Sequence, residues 1–317
     1  GTEVSSPAVY EDGNSRKIFV SAYDTNNLEV YAIQGGSAVS GWTPKTIGSI
    51  VSPTNVNLHP ILPSISIGNV TDDVGNEILV PQPAAVNEGD SQLWLYKLDG
   101  GYAEDWGSSY QLTSGGDMDA TPAVGDVDGD GNAEIIAITW IDPGSGDGES
   151  TTVWSINSDH TLDWETTYVQ DNSEGCQGWP RCDDDEHAIA SPVLAVIYTD
   201  DGESNLDVFT CTTPFCHALD GNDGGDGGGP KDSLWDIKLE GRQNDNRIFN
   251  SPAASDVDGD GLLDFIIDGA VYSADLADLT LKSSDIIITD SGGNITSEFE
   301  EGESVQLSVD IRNEGNH

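Results

Sequence analysis

Two nine-residue stretches carry acids at spacings that suit a hard cation: Asp126-Val-Asp128-Gly-Asp130-Gly-Asn132-Ala-Glu134 and Asp256-Val-Asp258-Gly-Asp260-Gly-Leu262-Leu-Asp264. Each places carboxylates at positions 1, 3, 5 and 9 and glycines at positions 4 and 6. Carboxylates this close along a backbone repel one another unless a cation sits among them, and oxygen-only ligation of this density suits calcium. The glycines let the chain curl around the ion. An EF-hand shares the opening Asp-x-Asp-x-Asp-Gly, but it needs a bidentate Glu at position 12 and a helix on either side. Position 12 is Ala137 in one stretch and Ile267 in the other. The segments that follow, Ile135 to Trp140 and Phe265-Ile-Ile, are β-branched and aromatic. They predict strands, with position 9 as the first strand residue.

The elements that must hold these loops recur along the chain. Lead-ins of one type open five units: Ser6-Pro7-Ala-Val, Leu62-Pro63-Ser-Ile, Thr121-Pro122-Ala-Val, Ser191-Pro192-Val-Leu and Ser251-Pro252-Ala-Ala. After each comes a loop, an apolar strand (Ile18–Tyr23, Ile78–Val80, Ile135–Trp140, Val208–Thr210, Phe265–Ile267) and often a third strand such as Leu28–Ile33, Gln92–Lys97 or Thr152–Ile156. Outer strands are expected near Trp42, Trp106, Trp164 and Trp235. Short strands returning with one lead-in predict an all-β chain, a β-propeller of about five four-stranded blades. A β-sandwich does not explain why the lead-in returns. Closure of the ring is expected to use residues 1–4 as the outer strand of the fifth unit.

Residues 5–275 resemble the FG-GAP/VCBS repeat of integrin-α-like propellers, most strongly at 121–140 and 251–268. The resemblance implies calcium held by side chains at positions 1, 3, 5 and 9 and by the carbonyl at position 7. The implied ligands are Asp126, Asp128, Asp130, Asn132 and Glu134, then Asp256, Asp258, Asp260, Leu262 and Asp264. Leu262 suits a backbone role, since its side chain cannot ligate. The second unit offers Asn69, Thr71, Asp73, Gly75 and Glu77 in register, a weaker set with fewer charges. The fourth offers Thr199, Asp201, Glu203, Asn205 and Asp207. Two calcium ions are expected, and up to four. The first unit has Arg16 and Lys17 where the last acid would stand, so no ion is expected there. Calcium in such loops braces a hairpin and leaves little room for substrate, which predicts a structural role.

The 317 residues include 57 acidic and 11 basic side chains, a formal charge of −46. Such a chain does not attract nucleic acid or anionic membranes by charge. The excess of carboxylates suits a microbe from a marine or saline habitat. No apolar run is long enough to insert into a membrane. The four cysteines, Cys176, Cys182, Cys211 and Cys216, fall in two close pairs, which suits local disulfides in an oxidising, extracellular or cell-surface setting. A zinc site using these thiols with His187 or His217 is the alternative.

The repeat stops after residue 276. Residues 277–317 resemble the start of a CARDB-like, immunoglobulin-type β-sandwich, either cut short or completed by strands from a neighbouring copy. Asn294-Ile-Thr296 is a candidate glycosylation site. The insertion carrying Trp179 and Arg181 is the candidate ligand loop, because recognition sits on loops over a rigid scaffold.

No Gly-x-Ser-x-Gly, His-Glu-x-x-His or phosphate-binding glycine loop occurs. The expected function is therefore non-catalytic adhesion or recognition of an extracellular protein or glycan. The alternatives are a polysaccharide lyase or hydrolase, drawing on carboxylates and His59, His160, His187 or His217, and an architectural subunit of a filament or surface layer.

Overall fold

A computed structural model of the chain describes residues 3–13, 15–23, 27–39, 42, 45–48, 63–71, 75–84, 90–113, 116–141, 150–169, 190–197, 205–211, 215–221, 233–238, 251–257, 259, 263–267, 269–273, 279–280, 286–289, 306–309 and 312–313. All regular structure among them is β, in small antiparallel sheets, none closed into a barrel. No helix among the described residues is long and apolar enough to cross a membrane.

The chain divides into two compact units, Gly1–Ala253 with Ile267–Gly269, and Ala254–Ile266 with Ala270–His317. The first unit holds four sheets in chain order. Sheet one contains β1 (Glu3–Val4), β2 (Ala8–Asp12), β3 (Ser15–Tyr23), β4 (Leu28–Gln34), β5 (Ser37–Ala38) and β6 (Lys45–Gly48). Sheet two contains β7 (Ser66–Gly68), β8 (Glu77–Gln82), β9 (Gln92–Lys97) and β10 (Tyr110–Gln111). Sheet three contains β11 (Ala123–Gly125), β12 (Glu134–Ile141), β13 (Ser150–Ile156) and β14 (Leu162–Val169). Sheet four contains β15 (Val193–Ala195), β16 (Asp207–Cys211), β17 (Phe215–Leu219) and β18 (Ser233–Lys238). Sheets two to four are four-stranded meanders. A three-stranded sheet of β19 (Ala253–Ser255), β20 (Asp264–Ile267) and β21 (Ala270–Ser273) lies mostly in the second unit. That unit also holds two strand pairs, β22 (Leu279–Thr280) with β25 (Arg312–Asn313) and β23 (Ile286–Thr289) with β24 (Gln306–Val309).

Alternate residues of one strand feed two different cores. Ile135 and Ala137 pack with Leu79, Leu93 and Leu95 of sheet two, whereas Ile136 and Ile138 pack with Val208 and Leu219 of sheet four. Because both faces are covered, β12 is apolar without alternation from Ile135 to Ile138. The first strands follow one another directly, β2 against β7, β7 against β11 and β11 against β15. Glycine at the end of two of them permits this approach. A β-carbon on Gly68 would lie 2.8 Å from Val124 Cγ1, and one on Gly125 would lie 2.8 Å from Leu194 Cδ1.

Polar bonds also run from the second repeat to the third, the third to the fourth and the fourth to the fifth. The Ser64 amide donates to Thr121 Oγ1 (2.9 Å), the Thr121 amide to Ser191 Oγ (2.9 Å), and the Ser191 amide to Ser251 Oγ (3.0 Å). The recurring Ser/Thr-Pro lead-in is thus a hydroxyl relay between repeats. The outer tryptophans act in the same sense: Trp106 Nε1 donates to the Ser158 carbonyl, and Trp164 Nε1 to the Gly221 carbonyl.

One strand lies elsewhere than expected. Instead of forming the outer strand of the fifth unit, β1 pairs with β3, Glu3 opposite Tyr23 and Val4 opposite Ala22. It continues the edge that β2 begins, interrupted at Pro7, which has no amide to donate. Ser5 bridges the gap, donating its amide to the Ser21 carbonyl while its Oγ accepts from the Ser21 amide.

Candidate metal centre

The loop 126–134 joins β11 to β12, whose ends meet at the pair Gly125 and Glu134. Its carboxylates are held by amides further along the turn. Asp126 accepts from Gly129 (2.8 Å) and Gly131 (3.1 Å), Asp128 from Asp130 (2.9 Å), and Asp130 from Asn132 (2.7 Å). Gly129 and Gly131 supply the positive φ angles, 77° and 92°, that aim these amides inward. As a result, one oxygen from each of Asp126, Asp128 and Asp130 lies within 4.8 Å of the other two. Two oxygens on one calcium ion are at most about 5 Å apart, given ligand distances near 2.5 Å. The spacing therefore fits a shared ion. Three unshielded charges at that range would oppose one another by roughly 1 kcal/mol per pair even in water.

The position-9 acid closes the loop. Glu134 is buried, and its Oε2 accepts the Val127 amide at 2.9 Å. The same bond recurs in three more hairpins: Val70 to Glu77, Ile197 to Asp207, and Val257 to Asp264, each at 2.8 Å. The acid ties the first turn of the loop to the start of the second strand. Burial pushes the Glu134 carboxyl up to about 7, the charges of Asp128, Asp130 and Asp126 push the same way, and the Val127 amide opposes them. A cation among these acids would supply a counter-charge.

In the loop 256–264, Gly259 (φ 86°) donates to Asp256 Oδ1 at 2.6 Å, repeating the first turn of the earlier loop. Asp258, Asp260 and Leu262 lie outside the described residues. In the second repeat Asn69 is exposed, Thr71 donates to Glu77 Oε1 at 3.4 Å, and Gly75 has φ 124°. Asp73 lies outside the described residues, as do Thr199, Asp201 and Glu203. In the first unit β2 and β3 stay paired as far as Asp12 and Ser15, leaving no nine-residue loop, and Arg16 pairs with Glu11.

Asn205, read from sequence as position 7 of the fourth loop, turns its side chain to the third. Its Nδ2 donates to the Asp128 carbonyl at 3.3 Å, and the neighbouring Leu206 amide reaches the Asp126 carbonyl at 3.4 Å. The acidic loop of the third repeat is thus seated on the next repeat.

Cys211 and Cys216 form a disulfide across β16 and β17. Cys176, Cys182, Trp179, Arg181, His187 and Asn294 lie outside the described residues.

A second acidic group escaped the sequence reading. Asp117 exchanges backbone hydrogen bonds with Trp140, and Trp140 Nε1 donates to Asp119 Oδ2 at 3.1 Å. Burial and the charge of Asp119 push the Asp117 carboxyl up to about 8, against the lowering effect of the Met118 amide. No spacing rule marks this pair. It shows only once β12 brings Trp140 back to residue 117.

No family model matches the chain, and no curated protein matches it. Among solved structures it is similar to the V. cholerae biofilm matrix protein Bap1, at 12% identity and a TM-score of 0.30, over 75% of this chain and 39% of that one. The chain spans well under half the length of that protein. At this level the likeness carries no argument about fold, ligand or activity.

Proposed function

We propose that this chain is a calcium-braced β-propeller that serves outside the cell as a recognition or adhesion module. The observation that carries this reading is the convergence of Asp126, Asp128 and Asp130 in a hairpin closed by a buried position-9 acid. The direct succession of β2, β7, β11 and β15, with cores between consecutive sheets, supports the propeller. Calcium in the 126–134 loop, and a second ion in 256–264, would neutralise the acids and rigidify the hairpins. The Cys211–Cys216 disulfide supports an oxidising compartment. The C-terminal strands would extend the scaffold or pair with neighbouring copies.

Calcium titration by calorimetry tests the metal half of this proposal: two sites in the wild type, and one in an Asp126→Asn/Asp130→Asn variant. Retention on immobilised extracellular proteins and glycans, in calcium and in chelator, tests the recognition half.

The Asp117–Asp119 pair favours a second reading, a polysaccharide lyase or hydrolase. A carboxyl that keeps its proton near neutrality with a second acid acting on it is an arrangement that acid–base cleavage can use. Release of reducing ends from polysaccharides by the wild type but not by Asp117→Asn would support it.

A further inference from the structure

We propose that the face of sheet two turned toward sheet one carries a binding strip for an uncharged glycan, built from Trp94, Tyr102, Gln82, Gln92 and Gln111. This inference rests on the recognition reading and names its ligand class.

Strand register assembles the strip. Gln82, Gln92 and Gln111 stand directly opposite one another on β8, β9 and β10, so their side chains share one face at a strand spacing of about 5 Å. Trp94 and Tyr96, two and four residues beyond Gln92, lie on that same face. Tyr102 joins them through its bridge to Tyr96. The three rings are close to parallel. Trp94 and Tyr96 differ by 4°, Tyr96 and Tyr102 by 26° with centroids 5.1 Å apart, and Trp94 and Tyr102 by 27°. Tyr96 is buried and serves as the base of the stack, whereas Trp94 is half-buried and Tyr102 is 48% exposed.

The amides beside the rings are oriented by their neighbours. Trp94 Nε1 donates to Gln82 Oε1 at 2.8 Å, and Ser109 Oγ donates to Gln92 Oε1 at 2.7 Å, which leaves both Nε2 groups as donors. Gln111 Nε2 donates to Asp90 at 2.9 Å, which leaves its Oε1 as an acceptor. Contacts among the described residues bring one carboxylate, Asp90, and one ammonium, Lys45 over the Tyr96 ring at 5.8 Å. On a chain of charge −46, this row of neutral amides beside the half-buried Trp94 and the exposed Tyr102 stands apart.

Sugar rings match such a surface. Their C–H faces pack on aromatic rings by dispersion, and their hydroxyls both give and take hydrogen bonds of the kind fixed amides offer. The net charge disfavours anionic polysaccharides. A proline-rich peptide is the other ligand that stacked rings accept, but it presents no hydroxyls for the glutamine row.

Affinity electrophoresis of the whole chain through gels containing soluble β-glucan, mannan, xylan or alginate tests the strip, with a polyproline peptide as competitor. Retardation by at least one neutral polysaccharide is expected, weakened at least tenfold by Tyr102→Ala and by Gln82→Ala. Tyr102 is exposed enough that its variant should keep the wild-type melting temperature, and Trp94→Phe, which keeps a ring but frees Gln82, should weaken binding less than Tyr102→Ala. Retardation by alginate alone, displacement by polyproline without any sugar binding, no retardation by a neutral polymer, or retardation indifferent to both alanine variants would each overturn the proposal. Wild-type binding that survives these variants would remove the strip and leave the recognition reading standing. That reading fails separately, if no immobilised protein or glycan retains the chain.

Discussion

The side-chain amide of Asn205 occupies the place where a β-carbon on Gly129 would stand, 2.2 Å from its Oδ1, while its Nδ2 holds the Asp128 carbonyl. The acidic loop of one repeat is therefore shaped by a residue of the next. Gly129→Ala should cost more than Gly131→Ala, although both have positive φ. At Gly131 nothing lies within reach of an added methyl, so only backbone strain of about 1–2 kcal/mol is expected. At Gly129 the clash adds to it. Thermal unfolding of both variants checks the difference, and Asn205→Ala should recover part of the Gly129→Ala loss in a double-mutant cycle.

The hydroxyl relay makes a second prediction. Ser191→Ala leaves the Thr121 amide without its acceptor, which should cost about 1–3 kcal/mol. Ser191→Thr keeps the hydroxyl and should stay near wild type. Urea midpoints of the two variants distinguish a bonded relay from mere adjacency.

Asp117 predicts a pH dependence. Its folded carboxyl is raised to about 8 from an ordinary 3.8, so the folded chain keeps a proton that the unfolded chain releases. Its contribution is therefore fully present below the unfolded value, and stability falls as pH rises across that window. Chemical unfolding in excess calcium between about pH 5 and about pH 9 should show this decline, and Asp117→Asn should flatten it.

Much of this architecture is legible in the sequence because it is local and repeated. The Asp126–Gly131 turn lies where its spacing puts it, and β8, β12, β16 and β20 each begin at the position-9 acid. What the spacing does not reveal is the use of that acid. Glu134 reads as a metal ligand, yet one of its oxygens closes the loop on the Val127 amide. Asn205 belongs by register to its own loop, and only the packing of β15 beside β11 turns it to the third. The placement of β1 is hidden for a similar reason. Pro7 looks like a boundary between units, but it merely interrupts one edge of β3. The glutamine row depends on cross-strand register, which β8, β9 and β10 set only when paired.

The most direct test of the calcium-braced fold is the melting temperature of wild type and Asp128→Asn, each in calcium and in chelator. An ion that binds only the folded state stabilises it, by about 2.7 kcal/mol per site at a hundredfold excess over Kd. Wild type should therefore melt well above its chelated form in calcium, with magnesium a poor substitute. Asp128→Asn should cross over, melting above wild type in chelator, where charge repulsion is relieved, and below it in calcium. A wild-type melting temperature that is the same in calcium and in chelator would contradict the account.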